Sequence, residues 1–289
     1  MSVQASSQQR YVRRKAVNAI GISISVLAVV VALIPLGAMI YYILQQGGSY
    51  LRPSFFTNLP APVGEVGGGM LSAISGTVEL MALASLFGLP IGILSGIYLS
   101  RSNNRFADTV RFFTDVIAGT PSIVAGVVAY ALIVIPMHSF SAFSGGVALA
   151  LLMFPTVARA TEEAIRLVPT VIREAALALG LPEWKTMLRI ILPTASSGIV
   201  TAVMLGIARV AGETAPLLFT ALGSDALRFN PRAPVDALPI RIWNYAQSPY
   251  EDWHRQAWEG ALVLFLLIVV LNLSARMIVR RLQAKTGAI

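Results

Sequence analysis

The sequence has no cysteine among its 289 residues and only two histidines. The first absence removes disulfides, thiolate metal sites and thiol nucleophiles from consideration. The second leaves His138, beside Pro136, with no companion histidine or carboxylate at ligand spacing, so no metal site is expected. Charge is scarce as well: 12% of residues are Asp, Glu, Lys or Arg, about half the share of an ordinary soluble domain. No G-x4-G-K loop followed by Ser or Thr occurs anywhere, so the chain lacks that phosphate-cradling nucleotide site.

Apolar length stands where charge is missing. Hydrophobic residues make up 56% of the chain. Residues 16–51 and 116–158 contain no charge, 66–100 contains only Glu79, 190–224 only Arg209 and Glu213, and 256–275 only Glu259. A helix crosses a bilayer with about 20 apolar residues. Residues 116–158 are long enough for two crossings, with a turn signal at 135–139 (IPMHS). Six spans are therefore predicted, at about 18–44, 69–99, 112–135, 141–157, 194–222 and 257–279, in an all-α integral membrane protein. A polar tail, 1–15, precedes the membrane domain, 16–289. The apolar run after Arg13-Arg14-Lys15 has no convincing cleavage site, so it is expected to stay as the first span.

The net charge of +8 is explained by its distribution. With six spans both termini share one side, and that side carries sixteen Lys and Arg against five on the other. Such a bias is the positive-inside pattern, which puts both termini in the cytoplasm and removes the case for nucleic acid. The opposite side carries Trp243, Tyr245, Tyr250, Trp253 and Trp258, which suit an interfacial aromatic belt.

Residues 158–192 form the largest connection on the basic side. Pro169 suits a helix start, Gly180 a helix stop and Pro182 the first turn of the next helix, which predicts two short helices bent at Gly180-Leu181-Pro182. Their small and apolar faces (Val171, Ala175, Ala176 and Leu179, then Trp184, Met187, Leu188 and Ile191) suit a lipid surface or a groove on a partner.

Within this connection Glu174-Ala175-Ala176, Gly180, Ile190, Leu192 and Pro193 reproduce the spacing E-A-A, three residues, G, nine residues, I, one residue, L-P. On these residues the chain resembles the permeases of bacterial ABC importers. Three further stretches, DVIAGTPSIVAGVVAY (115–130), ARVAGETAPLLFTA (208–221) and SPYEDWHRQAWEGALVLFLLIVVLNLSAR (248–276), resemble the phosphate-specific (Pst) permeases, the last of them the PstA-type more than the PstC-type subunit. The resemblance implies a type I, MetI-like permease with cytoplasmic coupling helices. Glu174, Ala175, Ala176, Gly180 and Leu181 would couple to the ATPase. It also implies a bacterial inner-membrane location and a set of partners: a PstC-like permease, two PstB-like ATPase subunits that use ATP and Mg, a PstS-like phosphate-binding protein, and membrane lipid. This chain would bind no cofactor and catalyse no reaction.

The stretch ARVAGETAP (208–216) sets two charges in an otherwise apolar run. A charge near the bilayer centre costs at least about 2.5–3.5 kcal/mol, so it is a functional-site hypothesis by default. At i,i+4 spacing Arg209 and Glu213 would share one helix face, turned inward. A guanidinium fork suits a tetrahedral oxyanion. Glu213 either neutralises Arg209 and locks packing, or accepts a hydrogen bond from a protonated phosphate oxygen that sulfate lacks; in a related reading Arg209 switches partner between Glu213 and phosphate during the cycle. Thr214 and Pro216, and likewise Thr120-Pro121-Ser122, read as helix interruptions of the kind that line solute paths. Alternatively the hydroxyls of Thr120 and Ser122 bond back to their own helix. Glu79 is a partner for Arg209, a packing group near Ser75 or Thr77, or a surface residue. Other classes compatible with the composition are a permease for sulfate or molybdate, a self-contained carrier, and a membrane enzyme, for which Arg209 and Glu213 alone are poor material.

Overall fold

The computed structural model describes residues 2–286; Met1 and residues 287–289 lie outside the described residues. Regular structure among them is helical, with two isolated bridges, Pro60 to Gly68 and Leu222 to Val235. In chain order the helices are α1 (Ser2–Tyr50), α2 (Pro53–Thr57), α3 (Leu71–Arg101), α4 (Arg105–Gly119), α5 (Ser122–Met137), α6 (Ala142–Arg166), α7 (Thr170–Ala178), α8 (Glu183–Ala211), α9 (Ala215–Leu218), α10 (Leu238–Ala246) and α11 (Glu251–Thr286). Five of them, α1, α3, α6, α8 and α11, are long and apolar enough to cross a membrane; α4 and α5 together make a sixth candidate, bent by 107°.

The core forms where α3 meets α6. Every fourth residue of α3 from Gly76 to Gly96 (Gly76, Leu80, Ala84, Gly88, Gly92, Gly96) is buried. In lipid there is no hydrophobic drive between helices, so association depends on close packing over small residues. The glycines permit that approach. A Cβ on Gly92 would sit 2.8 Å from Val157 Cβ, and one on Gly96 would sit 2.6 Å from the Ala158 carbonyl oxygen. From the other side Gly206 of α8 closes on Val157 and Met153. Helices α3, α6 and α8 thus share one core, while α1 lies outside and packs on α11, with Gly47 against the Trp258 backbone.

Several boundaries differ from the sequence expectation. The first helix starts at Ser2, so residues 2–15 of the tail are helical and continuous with the first span. The span expected at 112–135 is not one rod. Thr120 is extended before Pro121, and the chain turns there between an amphipathic α4 and an apolar α5. The helix that carries the span expected at 141–157 continues to Arg166, and in this extension Arg159 and Arg166 pair with Glu162. The second helix of the 158–192 connection is not short. It runs into the next span through a π turn at Met187–Ile191, which loosens the register just ahead of Pro193. That span ends at Ala211, not 222, since Pro216 has no N–H to donate and its ring opposes the Gly212 carbonyl.

Candidate functional site

Arg209 lies on the last turn of α8, and Gly206, three residues earlier, packs on Met153 and Val157 at the middle of α6. The arginine is therefore level with the centre of the helical core. Its side chain is exposed on the flank of the chain, not turned into it. Glu213 falls beyond the helix end, its amide donating to Val210 O at 3.2 Å, and is half-buried. The expected shared helix face does not exist, and among the described residues Arg209 and Glu213 form no ion pair with each other or with any other group. Glu79 is not their partner either, and the hydroxyls of Ser75 and Thr77 bond to backbone carbonyls of their own helix.

The two helix interruptions are brought together. One turn into α5, Gly126 abuts α9 so closely that a Cβ there would lie 2.6 Å from Pro216 Cα. The Thr120–Ser122 break and the Glu213–Pro216 break thereby flank one junction beside the end of α8. Of its hydroxyls, Thr120 donates to Val116 O at 2.7 Å, so it is occupied by its own helix. Ser122 opens α5 and Thr214 precedes α9; both are half-buried.

The arginine-rich end is arranged in the opposite way. Glu162 is 3% exposed. It accepts from Arg111 at 3.2 Å, Arg159 at 3.2 Å and Arg166 at 2.8 Å. Arg159 also grips Asp115 at 2.5 Å, and Arg111 donates to the Leu99 and Ser102 carbonyls, closing the end of α3. These basic residues, counted in the sequence only for topology, hold α3, α4 and α6 together. No local spacing announces this hub, because Arg111 and Glu162 are 51 residues apart.

Next to the hub sits the helix pair expected to couple. Helix α7 closes with Gly180 at φ 81°. Gly180 N donates to Leu177 O at 2.9 Å, and Leu181 N to Ala176 O at 3.2 Å. That pair of bonds is a Schellman stop, and it needs the left-handed residue that glycine supplies. Ala176 is buried, whereas Glu174 and Ala175 face outward. Leu167, Val171, Leu179, Trp184 and Leu188 stand exposed around them, an apolar patch on a charged end.

At the far end, Asp236 is buried against α3. It accepts from Arg241 at 2.5 Å, which also reaches Asp225 at 2.6 Å. Burial pushes the Asp236 carboxyl up, against the pull of the Arg241 guanidinium. Burial also works against the charge on Arg241, yet the two carboxylates outweigh it and hold its pKa above the usual range. The expected aromatic belt is only part of the picture. Trp243 and Trp258 are exposed, but Tyr245 is 1% exposed and stacks on Trp253 at 4.5 Å, a packing role set by the fold of α10 onto α11.

Long apolar helices around a glycine-ridged core, two broken segments that meet and a bent helix pair at one end define a multi-pass membrane transport subunit. Residues 88–287 match the family described as binding-protein-dependent transport system inner membrane component, and the chain belongs to that family. It is similar along nearly its whole length to proteins named phosphate transport system permease protein PstA. The one from Haemophilus influenzae is 38% identical over 278 residues, 95% of this chain and 98% of the relative. The one from Xylella fastidiosa is 39% identical over 284 residues, covering 96% and 98%. PstA 1 of Mycobacterium tuberculosis is 35% identical, covering 92% and 88%. Among solved structures, the inward-facing MetNI methionine ABC transporter aligns with TM-score 0.58 at 20% identity, covering 74% of this chain and 94% of the other. A bacterial alginate ABC transporter aligns with TM-score 0.60 at 14% identity, covering 92% and 94%. These two share the fold.

Proposed function

We propose that the chain is the PstA-type membrane subunit of an ATP-driven importer of inorganic phosphate, and that Arg209 stands in its solute path. The observation that carries the reading is a guanidinium with no partner among the described residues, level with the middle of α6 and exposed on the flank. Facing lipid, it would cost at least about 2.5–3.5 kcal/mol. Facing a second permease across an aqueous path, it is solvated when the path is open and binds an anion when one passes. Three PstA-named relatives at 35–39% identity supply the solute.

On this reading the arginine-rich end is cytoplasmic, and both termini lie there. Glu174, Ala175, Ala176, Gly180 and Leu181 seat the chain on one of two PstB-like ATPases, and the exposed Leu179 and Trp184 add apolar contact. A PstC-like permease covers the Arg209 flank, and a PstS-like protein delivers phosphate at the Asp236 end. The chain binds no nucleotide; ATP and Mg serve the ATPases.

Because Glu213 is not engaged by Arg209, it is available to accept a hydrogen bond from the protonated oxygen of phosphate, and Thr214 and Ser122 are available to donate. Sulfate would leave the carboxylate unpaired. In the reconstituted importer, Glu213→Gln is expected to lower phosphate uptake or to admit sulfate as a competitor. Uptake and sulfate rejection both unchanged would remove Glu213 from the path.

A further inference from the structure

A cavity of about 300 Å³ lies beneath α7, between the ends of α3 and α6 and the start of α8. Arg101, Arg166 and Arg173 line it, with Glu183 as its one carboxylate. Glu183 bridges two of the arginines, accepting from Arg173 at 3.0 Å and from Arg101. Arg166 is held at the rim by Glu162. Three arginines against one carboxylate give the lining an excess of positive charge. That excess fits an acceptor-rich anion.

We infer that this cavity binds a phosphate-class oxyanion, which takes Arg101 and Arg173 from Glu183. The exchange is chemically easy because the Glu183 side chain is 57% exposed, so the displaced carboxylate passes into water. It has a mechanical consequence. Glu183 ties the start of α8 to both α3 and α7 through its two arginines, so an ion held by those arginines keeps α3 and α7 joined and frees the start of α8 from them. Resting on the proposed function, which makes this end cytoplasmic and the solute phosphate, the site gives the imported ion a means of acting back on coupling.

The test is the ³¹P line broadening of inorganic phosphate, titrated against the assembled permease–ATPase complex without nucleotide. All samples carry Arg209→Gln, so that the path contributes nothing, and phosphate held by the ATPases is common to all. Glu183→Gln removes the internal competitor and is expected to tighten binding, roughly 5-fold or more. Arg101→Gln is expected to weaken it. A merely structural Glu183 predicts the reverse order, and affinity that is unchanged or weaker in Glu183→Gln overturns the site. A parallel arm adds short-chain phosphatidylglycerol. If the lipid fails to displace phosphate, the free ion is the ligand; if it displaces phosphate at lower concentration, a headgroup presents the same chemistry. Identical titrations in all variants would reject the cavity site and leave the Arg209 reading standing. Uptake surviving Arg209→Gln would do the converse.

Discussion

Glu162 and Arg209 are both charges on apolar helices, and the fold treats them in opposite ways. Glu162 is enclosed by three arginines from two helices. Arg209 is exposed on the flank of α8, with no partner among the described residues. A paired buried charge is a structural fastening, and removing one member strands the rest. An unpaired one in a membrane helix costs stability with nothing gained inside the chain, so its use lies outside the chain. Pairing therefore separates fastening from function more sharply than burial or charge does.

The contrast can be broken by mutation, and stability and uptake are expected to rank the two sites in opposite orders. The largest loss of stability is expected from Glu162→Ala, about 3 kcal/mol, the low end for a broken buried pair because its arginines are partly exposed. A large drop in the unfolding midpoint of the detergent-purified complex would show it, and an unchanged midpoint would remove the hub. Next comes Gly126→Ala. Its new methyl meets the Pro216 backbone, at a cost of about 1–3 kcal/mol, and it pushes the two breaks apart, so uptake should fall along with stability. Uptake that survives while stability falls would show that the meeting of the breaks is packing alone. Arg209→Gln should leave the midpoint within about 0.5 kcal/mol of wild type, yet stop uptake. The smallest effect on both scales is expected from Thr120→Val, because its hydroxyl serves only the Val116 carbonyl. A strong uptake defect there, against a mild one in Ser122→Ala, would reverse the order assigned to the first break.

Much of this was visible in the residues. The charge-free runs marked the long helices, and the E-A-A to L-P spacing marked a hairpin whose Gly180 indeed takes the left-handed conformation. The row of small residues from Gly76 to Gly96, four apart, was there to be read as a packing ridge, but it is hidden when glycines are taken only as turn signals. The ends of helices were less legible. Residues 213–222 are as apolar as a span, and only the clash of Pro216 with the turn before it stops α8 at Ala211. Arg159 and Arg166 looked like loop charges because hydropathy cannot see that Glu162 receives them. The Arg209–Glu213 pair was inferred from i,i+4 spacing, which holds only if the helix continues, and α8 stops at Ala211.

The most direct test is radiolabelled phosphate uptake and ATP hydrolysis measured together in the reconstituted importer with loaded binding protein, comparing wild type with Arg209→Gln. Uptake should collapse while the complex assembles and hydrolyses ATP, because the guanidinium serves the anion and not the fold. Uptake at the wild-type rate would mean that a bare charge at mid-depth has no part in transport, and the distinction drawn from Glu162 and Arg209 would fail.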